Sequence, residues 1–210
     1  MPYFNYGYKK KQRTSSFDIE RALYLYFLGL STRCVAKALL FLHNVKRSHV
    51  SIWKWIQKCH PRKTSSKKRR TVEEFIVDET LLKVGPELIW LWIAIEPENR
   101  QILAQNITQE RNMLIAERFL SGAVRDYGKH PVSTDGGTWY PMACQFLGLD
   151  HHVHSPLEKS MIERTMQYIK DRTESFDDYF PCRQKNCKLK HVRNWLNLFV
   201  EYHNKEMIYA

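Results

Sequence analysis

Eight consecutive apolar residues, Leu88 to Ile95 (LIWLWIAI), narrow the folds open to this chain more than any other feature. The run is too short to cross a bilayer, and its Ile and Trp content suits a buried strand. Its neighbours also read as strands. Glu74 to Thr80 (EFIVDET) is an apolar run ending in acids, and Gln101 to Ile107 follows a Pro97-Glu98-Asn99-Arg100 turn. Three strands joined this closely form an antiparallel meander. Helix and strand patterns then alternate. Glu110 to Tyr127 has helical periodicity, with Leu114, Ile115, Phe119 and Val124 expected to face inward. Pro131 to Thr134 reads as a strand, Tyr140 to Leu147 as a helix, His151 to His154 as a strand, and Pro156 to about Arg172 as a long helix. This order predicts an α/β fold in which helices cover a mixed sheet.

The N-terminal third is different in kind. Residues 1–70 hold 17 Lys or Arg against 2 Asp or Glu, whereas residues 71–210 hold 16 against 20. Such a split suggests a nucleic-acid-binding module joined to a second unit. After a basic arm (KKKQRT, residues 9–14), three short helical patterns follow. Ile19, Ala22, Leu23, Tyr26 and Phe27 mark the first, which stops at Gly29. Val35, Ala36, Leu39, Leu40 and Leu42 mark the second, and Val50, Trp53 and Ile56 the third, with Ser31 or Thr32 and Ser48 as caps. Three helices with a Gly turn and a small Ala resemble a helix-turn-helix, whose last helix enters the major groove. Arg33, Lys37, Lys46, Arg47, His49, Ser51, Lys54 and Lys58 are then the candidate DNA contacts. The predicted domains are 1–59 (arm and helix-turn-helix), 60–71 (a basic linker) and 72–210 (the catalytic body with a C-terminal helix). Five cysteines at irregular spacing, with no apolar leader at the N-terminus, read as reduced thiols and suggest a cytoplasmic protein that does not engage a membrane.

Within the body, Asp78 lies in the first strand, Asp135 ends the fourth, and Glu163 lies on the helix after the fifth. In a ribonuclease-H-like sheet these positions converge at one edge. Three carboxylates brought together repel unless cations neutralise them, and a pair of Mg²⁺ (or Mn²⁺) ions on oxygen ligands would do so. Two such ions can activate an attacking oxygen and stabilise a leaving oxygen at a phosphodiester. Phe75-Ile76-Val77-Asp78-Glu79-Thr80, Ser133-Thr134-Asp135-Gly136-Gly137 and Met161-Ile162-Glu163 followed by Lys170-Asp171-Arg172 resemble the DDE transposases of prokaryotic insertion sequences. The likeness is greatest to short archaeal versions that move by replicative co-integrate formation, within the retroviral-integrase-like superfamily. It covers nearly the whole chain, including Val192-Arg193-Asn194-Trp195, which resembles a closing helix that packs on the core.

That resemblance implies a transposase that binds terminal inverted repeats and cuts and joins DNA strands. It implies metal ligation by Asp78, Asp135 and Glu163, and phosphate contact by Lys170, two helical turns beyond Glu163, with Arg172 as a further DNA contact. It also implies a homodimer or larger synaptic complex associated with the nucleoid. The alternative is a DNA-binding regulator, or a decayed copy, with an inactive catalytic domain. Glu79 is set aside because adjacent strand residues face opposite sides. Cys182, Cys187 and His191 are a weak zinc candidate lacking a fourth ligand. His151, His152 and His154 read as core or loop residues, with DNA or metal-bound oxygen as the second reading for His152 and His154. Trp139 reads either as a core residue or as a stacking surface for an unpaired base.

Overall fold

Three serines start three helices. In the computed structural model, the hydroxyls of Ser15, Ser31 and Ser48 accept the backbone N–H groups of Asp18, Cys34 and Ser51, each three residues on. Each therefore satisfies a donor that the first helical turn leaves unpaired. The helices are α1 (Ser16–Phe27), α2 (Thr32–His43) and α3 (His49–Lys58). Asn44, in the left-handed region at φ 53°, ends α2. The structure describes residues 4–6, 14–61, 72–85, 87–173 and 189–209. The basic arm, most of the linker, and Cys182 and Cys187 lie outside these described residues.

Ile19, Ala22, Leu23 and Phe27 of α1, Val35 and Leu39 of α2, and Ile52 and Ile56 of α3 are buried. Two expected inner faces are rotated. Leu40 and Leu42 are exposed on α2, and Val50 is exposed on α3, where Ile52 takes the inner position. The third layer of this core comes from the far end of the chain. Helix α7 (Leu189–Tyr209, the last in the described chain) lays Trp195 and Tyr202 against Phe27, with ring centroids 5.5 and 5.2 Å away. Trp195 Nε1 donates to the Tyr26 hydroxyl at 3.2 Å.

The chain divides into two compact units. Leu189–Glu206 belongs with Met1–Ser65 in one unit, while Ser66–Lys188 with Met207–Ala210 forms the other. The closing helix therefore packs on the N-terminal helices. The physical reason is the aromatic stripe Trp195, Phe199 and Tyr202, which matches the face left open by α1. A strand pair completes this unit: β1 (Phe4–Tyr6) runs antiparallel to β2 (Cys59–Pro61).

Asn194, buried on α7, donates to the carbonyls of Cys59 at 2.9 Å, Ile56 at 3.3 Å and Gln57 at 3.4 Å. These are carbonyls that the end of α3 leaves without helical partners. Asn194→Ala removes that cap and is expected to cost about 1–3 kcal/mol. A melting scan of the full chain should show the helical unit melting several degrees lower. An unchanged melt would mean that solvent caps α3 equally well.

The second unit contains β3 (Phe75–Val84), β4 (Glu87–Ile95), β5 (Ile102–Thr108), α4 (Met113–Tyr127), β6 (Val132–Thr134), α5 (Tyr140–Leu147), β7 (His151–Val153) and α6 (Pro156–Thr173). The sheet order is β5-β4-β3-β6-β7. The first three strands are antiparallel, and β6 and β7 run parallel to β3. This is the ribonuclease-H-like order, as expected.

Residues paired across antiparallel strands share a face, so Val77 with Ala94 and Glu79 with Trp92 point one way. That face packs on α4 and α5 through Phe75, Val77, Trp92, Phe119, Leu120, Tyr140 and Cys144. On α4 the buried residues are Ala116, Phe119, Leu120 and Ala123, whereas Leu114 is exposed. Small Ala residues let the helix approach the sheet closely, and that rotates the expected face. Helix α6 packs against β3 and buries Ile162, Met166 and Ile169. Among the described residues, no helix is long and apolar enough to cross a membrane.

Candidate active site

Strand β6 is only three residues long and pairs with β3 only at Phe75 and Ile76. Beyond Ile76, the β6-facing edge of β3 carries no strand partner among the described residues, and Asp78 lies just past that point. Asp135 follows the last residue of β6. The short parallel strand thus delivers an acid beside a gap in the sheet. A cavity of about 700 Å³ opens there, lined by Asp78, Glu79, Asp135, Glu163, Arg164 and Lys170 among others. The four residues assigned to catalysis from the sequence therefore share one cavity, with contributions from β3, the end of β6 and α6.

The carboxylates differ in setting. Burial pushes Asp78 up to about 7. The Glu79 N–H, bonded to its Oδ1 at 2.8 Å, opposes that rise, while the charges of Glu79, Asp135 and Glu163 add to it. Asp135 is exposed, and its Oδ1 accepts the Gly137 N–H at 2.9 Å. The Gly-Gly pair serves this turn twice. Gly136 sits at φ 86°, where a side chain would strain the backbone, and a Cβ on Gly137 would lie 2.8 Å from the Trp139 ring. Glu163 is exposed on α6 and lies 3.9 Å from Lys159.

Sequence alternation misses part of this site. Glu79 does face the side opposite Asp78, and it is nearly fully buried. Even so, carboxylate oxygens of Asp78, Glu79 and Asp135 all lie within 4.8 Å of one another. The open edge of β3 lets side chains from both faces reach around to the same place. Glu79 is held there by the Tyr140 hydroxyl, which donates to Oε2, and by Arg111 at 3.3 Å from Oε1. Burial raises the Glu79 carboxyl, and these two partners oppose the rise. The Arg111 guanidinium lies between the rings of Trp90, 4.0 Å away, and Trp139, 4.4 Å away. Trp139 is thus engaged by a protein cation, which favours its core reading over base stacking. Nothing in local spacing signals Arg111 or Tyr140; the packing of α5 and of the β5–α4 connection on the sheet brings them to Glu79.

The donor set fits hard divalent cations. It is all oxygen, it is concentrated, and burial disfavours the charge of two of its carboxylates, Asp78 and Glu79. Asp78, Glu79 and Asp135 form the tight cluster, and Glu163 lines the same cavity.

The DNA-contact candidates lie in the helical unit, apart from Arg172. Arg33, Lys37, Lys46, His49, Lys54 and Lys58 are exposed, and Ser51 is half-buried beside the α3 cap. Arg47 is turned inward instead. It donates to Thr14 Oγ1 at 2.7 Å and to the Lys46 carbonyl at 2.7 Å, so it fixes the connection into α3. Arg172 lies 5.7 Å from the Tyr168 ring on α6.

The sheet order is that of a ribonuclease-H-like fold, and the acid cavity gathers carboxylates beside its central strand. Residues 72–200 match the family model DDE_Tnp_IS240, described as a DDE domain, and the chain belongs to that family. It is a DDE-type enzyme of the transposase group. An uncharacterised protein of Methanocaldococcus jannaschii is 29% identical over 198 residues, covering 94% of this chain and 89% of the relative. Among solved structures, a chain in the simian T-cell lymphotropic virus intasome in complex with PP2A regulatory subunit B56 gamma has a TM-score of 0.48 at 17% identity. That match covers 86% of this chain and 64% of the other. The catalytic core domain of BIV integrase scores 0.44 at 15% identity, covering 61% and 82%. The HTLV-2 integrase catalytic core domain in complex with magnesium scores 0.46 at 14% identity, covering 60% and 83%.

Proposed function

We propose that this chain is the transposase of an insertion sequence, which binds the terminal inverted repeats of its element and cuts and joins DNA strands in the acid cavity. The observation that carries this reading is the shared lining of that cavity by Asp78, Asp135, Glu163 and Lys170, in a chain of the DDE family. Asp78, Asp135 and Glu163, with Glu79 added by the structure, would hold two Mg²⁺ or Mn²⁺ ions. Ions there supply Lewis acidity to a phosphodiester and lower the cost of charge on the attacking and leaving oxygens.

The chain's own groups do the rest. The Gly137 N–H fixes the Asp135 carboxylate, and Tyr140 with Arg111 fixes Glu79. Lys170 and Arg164, on the α6 side of the cavity, hold a DNA phosphate. In the first step, water attacks phosphorus and the P–O3′ bond breaks, leaving a 3′-OH at the element's end. In the second, that 3′-OH attacks a target phosphorus, a new phosphodiester forms, and a target 3′-OH leaves. Helices α1–α3 act as the helix-turn-helix, with Arg33, Lys37, Lys46, His49, Lys54 and Lys58 toward DNA and α3 in the major groove. Two ends must meet for joining, so the working form is a dimer or larger.

The test is a strand-transfer assay with labelled DNA bearing the repeats that flank the protein's own gene, in Mg²⁺ or Mn²⁺. Wild type should give joined products, and Asp135→Asn none. Lys170→Ala should still bind metal but join ends roughly 10- to 100-fold more slowly, the loss expected when a phosphate contact is removed at the reacting centre. Tight binding to the repeats without cutting in either metal would overturn the catalytic reading in favour of a regulator.

A further inference from the structure

Away from the acid cavity, three metal-capable side chains meet at the other end of the sheet. Glu74 immediately precedes β3, His152 lies on β7, and Glu158 lies in the first turn of α6. His152 Nε2 is 3.0 Å from Glu74 Oε1 and 3.5 Å from Glu158 Oε1, and one donor atom from each residue lies within 4.8 Å of the others. Both glutamates are mostly buried, while His152 is half exposed. We propose that Glu74, His152 and Glu158 form a second metal site, distinct from the acid cavity, that takes a divalent transition ion of the zinc class.

Four observations carry this. The first is the spacing. Ligands on a tetrahedral ion at about 2.0–2.1 Å stand roughly 3.4 Å apart, and the two contacts to His152 bracket that value.

The second is an unmatched atom. Glu74 Oε1 is buried and lies 3.0 Å from His152 Nε2, yet among the described residues no donor reaches it with hydrogen-bond geometry. A lone pair so close to a ring nitrogen, without a proton aligned between them, suits two ligands that share an ion.

The third is how Glu158 is held. Its Oε2 accepts the Ser155 N–H at 2.6 Å and the Ser133 hydroxyl at 2.9 Å. Ser133 Oγ in turn lies 2.7 Å from His154 Nδ1, which donates to it. One oxygen is thus fixed by a chain of donors, and the other is left facing His152, which is the support that metal-binding carboxylates commonly receive. The fourth is charge. The Glu74 and Glu158 carboxylates both approach the same ring nitrogen of His152, so two negative groups converge where a cation would relieve them.

The donor type separates the two sites. An all-oxygen cavity suits Mg²⁺ or Mn²⁺, whereas one imidazole with two carboxylates suits zinc, with the exposed side left for water. The ion would bind α6 to both β7 and the residue preceding β3. Helix α6 also carries Glu163 and Lys170, so on the transposase reading this clamp sets the position of α6 against Asp78.

The experiment uses the full chain, freed of metal with a chelator and titrated with Co²⁺ as a spectroscopic stand-in for zinc. Wild type and Asp78→Asn should each show the visible absorption of one four-coordinate Co²⁺, since cobalt in the all-oxygen cavity is six-coordinate and absorbs only weakly. Zn²⁺ should displace it and raise the melting temperature. His152→Ala should lose the absorption and weaken binding at least 100-fold, with an unchanged circular dichroism spectrum because that side chain is half exposed. Glu74→Gln serves as the second variant and should also lose the absorption. A wild type without the four-coordinate signal, or variants that keep it, would overturn the site and leave a hydrogen-bonded ion network in its place. Neither readout involves DNA, so a protein that fails to cut or join ends can still pass or fail this test.

Discussion

Asp78→Asn should lower metal-dependent cutting and joining of DNA ends by about 10³-fold while leaving the protein folded. Removing one carboxylate from the cluster withdraws charge that holds the cations, whose effect on a phosphodiester transition state is several kcal/mol. A loss of about 4 kcal/mol corresponds to about 10³ in rate. Stability should move the other way. Burial holds the Asp78 carboxyl at about 7, above the ordinary carboxylate value. A carboxylate whose pKa is raised by folding costs stability once the pH exceeds its unfolded value, and that cost grows until the pH passes the folded value. Asn keeps an oxygen for the Glu79 N–H and carries no charge. In chelator at pH 8, Asp78→Asn should therefore melt at or above wild type. A marked drop in melting temperature would show that Asp78 serves the fold, and the fall in activity would then say nothing about metal.

Arg111→Ala should destabilise the sheet-bearing unit by about 2 kcal/mol, a drop in melting temperature of roughly 4–8 °C for a protein of this size. Arg111 is the positive partner of a carboxylate that is nearly sealed from water, and removing one partner of a buried pair leaves the other uncompensated. The figure sits below the usual range for such losses because Arg111 is partly exposed and Tyr140 still donates to Glu79. The same change frees Trp139, whose ring lies against the turn that carries Asp135. Cutting should therefore fall about 10-fold, as when a residue supporting a metal ligand is lost. Glu79→Gln in the same chain should recover much of the lost stability. The deciding measurement is the double-mutant cycle: a coupling near zero between Glu79 and Arg111 would sink this account.

The sheet was legible because its signals are local. The apolar run of β4 and the acidic end of FIVDET need no knowledge of the rest of the chain. The positions of Asp78, Asp135 and Glu163 followed from element order alone, since each is placed by the strand or helix that carries it. Glu79 was not legible. Alternation reports which face a side chain leaves from, but not that β6 stops short and opens an edge around which it can bend. Arg111 lies in the β5–α4 connection and reaches Glu79 only through the tertiary packing that sets it over the rings of Trp90 and Trp139. The inner face of α4 was misjudged because large apolar residues were favoured over Ala116 and Ala123, although small residues permit the closest packing. The partner of α7 was not legible for a different reason. An amphipathic helix announces that it needs a partner, and nothing in its own residues says which one.

That placement gives the helical unit a history in time. Its core needs Phe27 from one end of the chain and Trp195 from the other, with the whole sheet made in between. At roughly 5–20 residues per second, the stretch between α3 and α7 takes on the order of ten seconds to synthesise. During that interval α1 has no Trp195 or Tyr202 to cover it, while the sheet can already fold on its own residues. A polypeptide cut short between α6 and α7 would then carry the residues of the acid cavity beside a helical unit that lacks part of its core. Translation through α7 thus gates completion of the helical unit: only a chain that has been read past Trp195 and Tyr202 can close the core around Phe27.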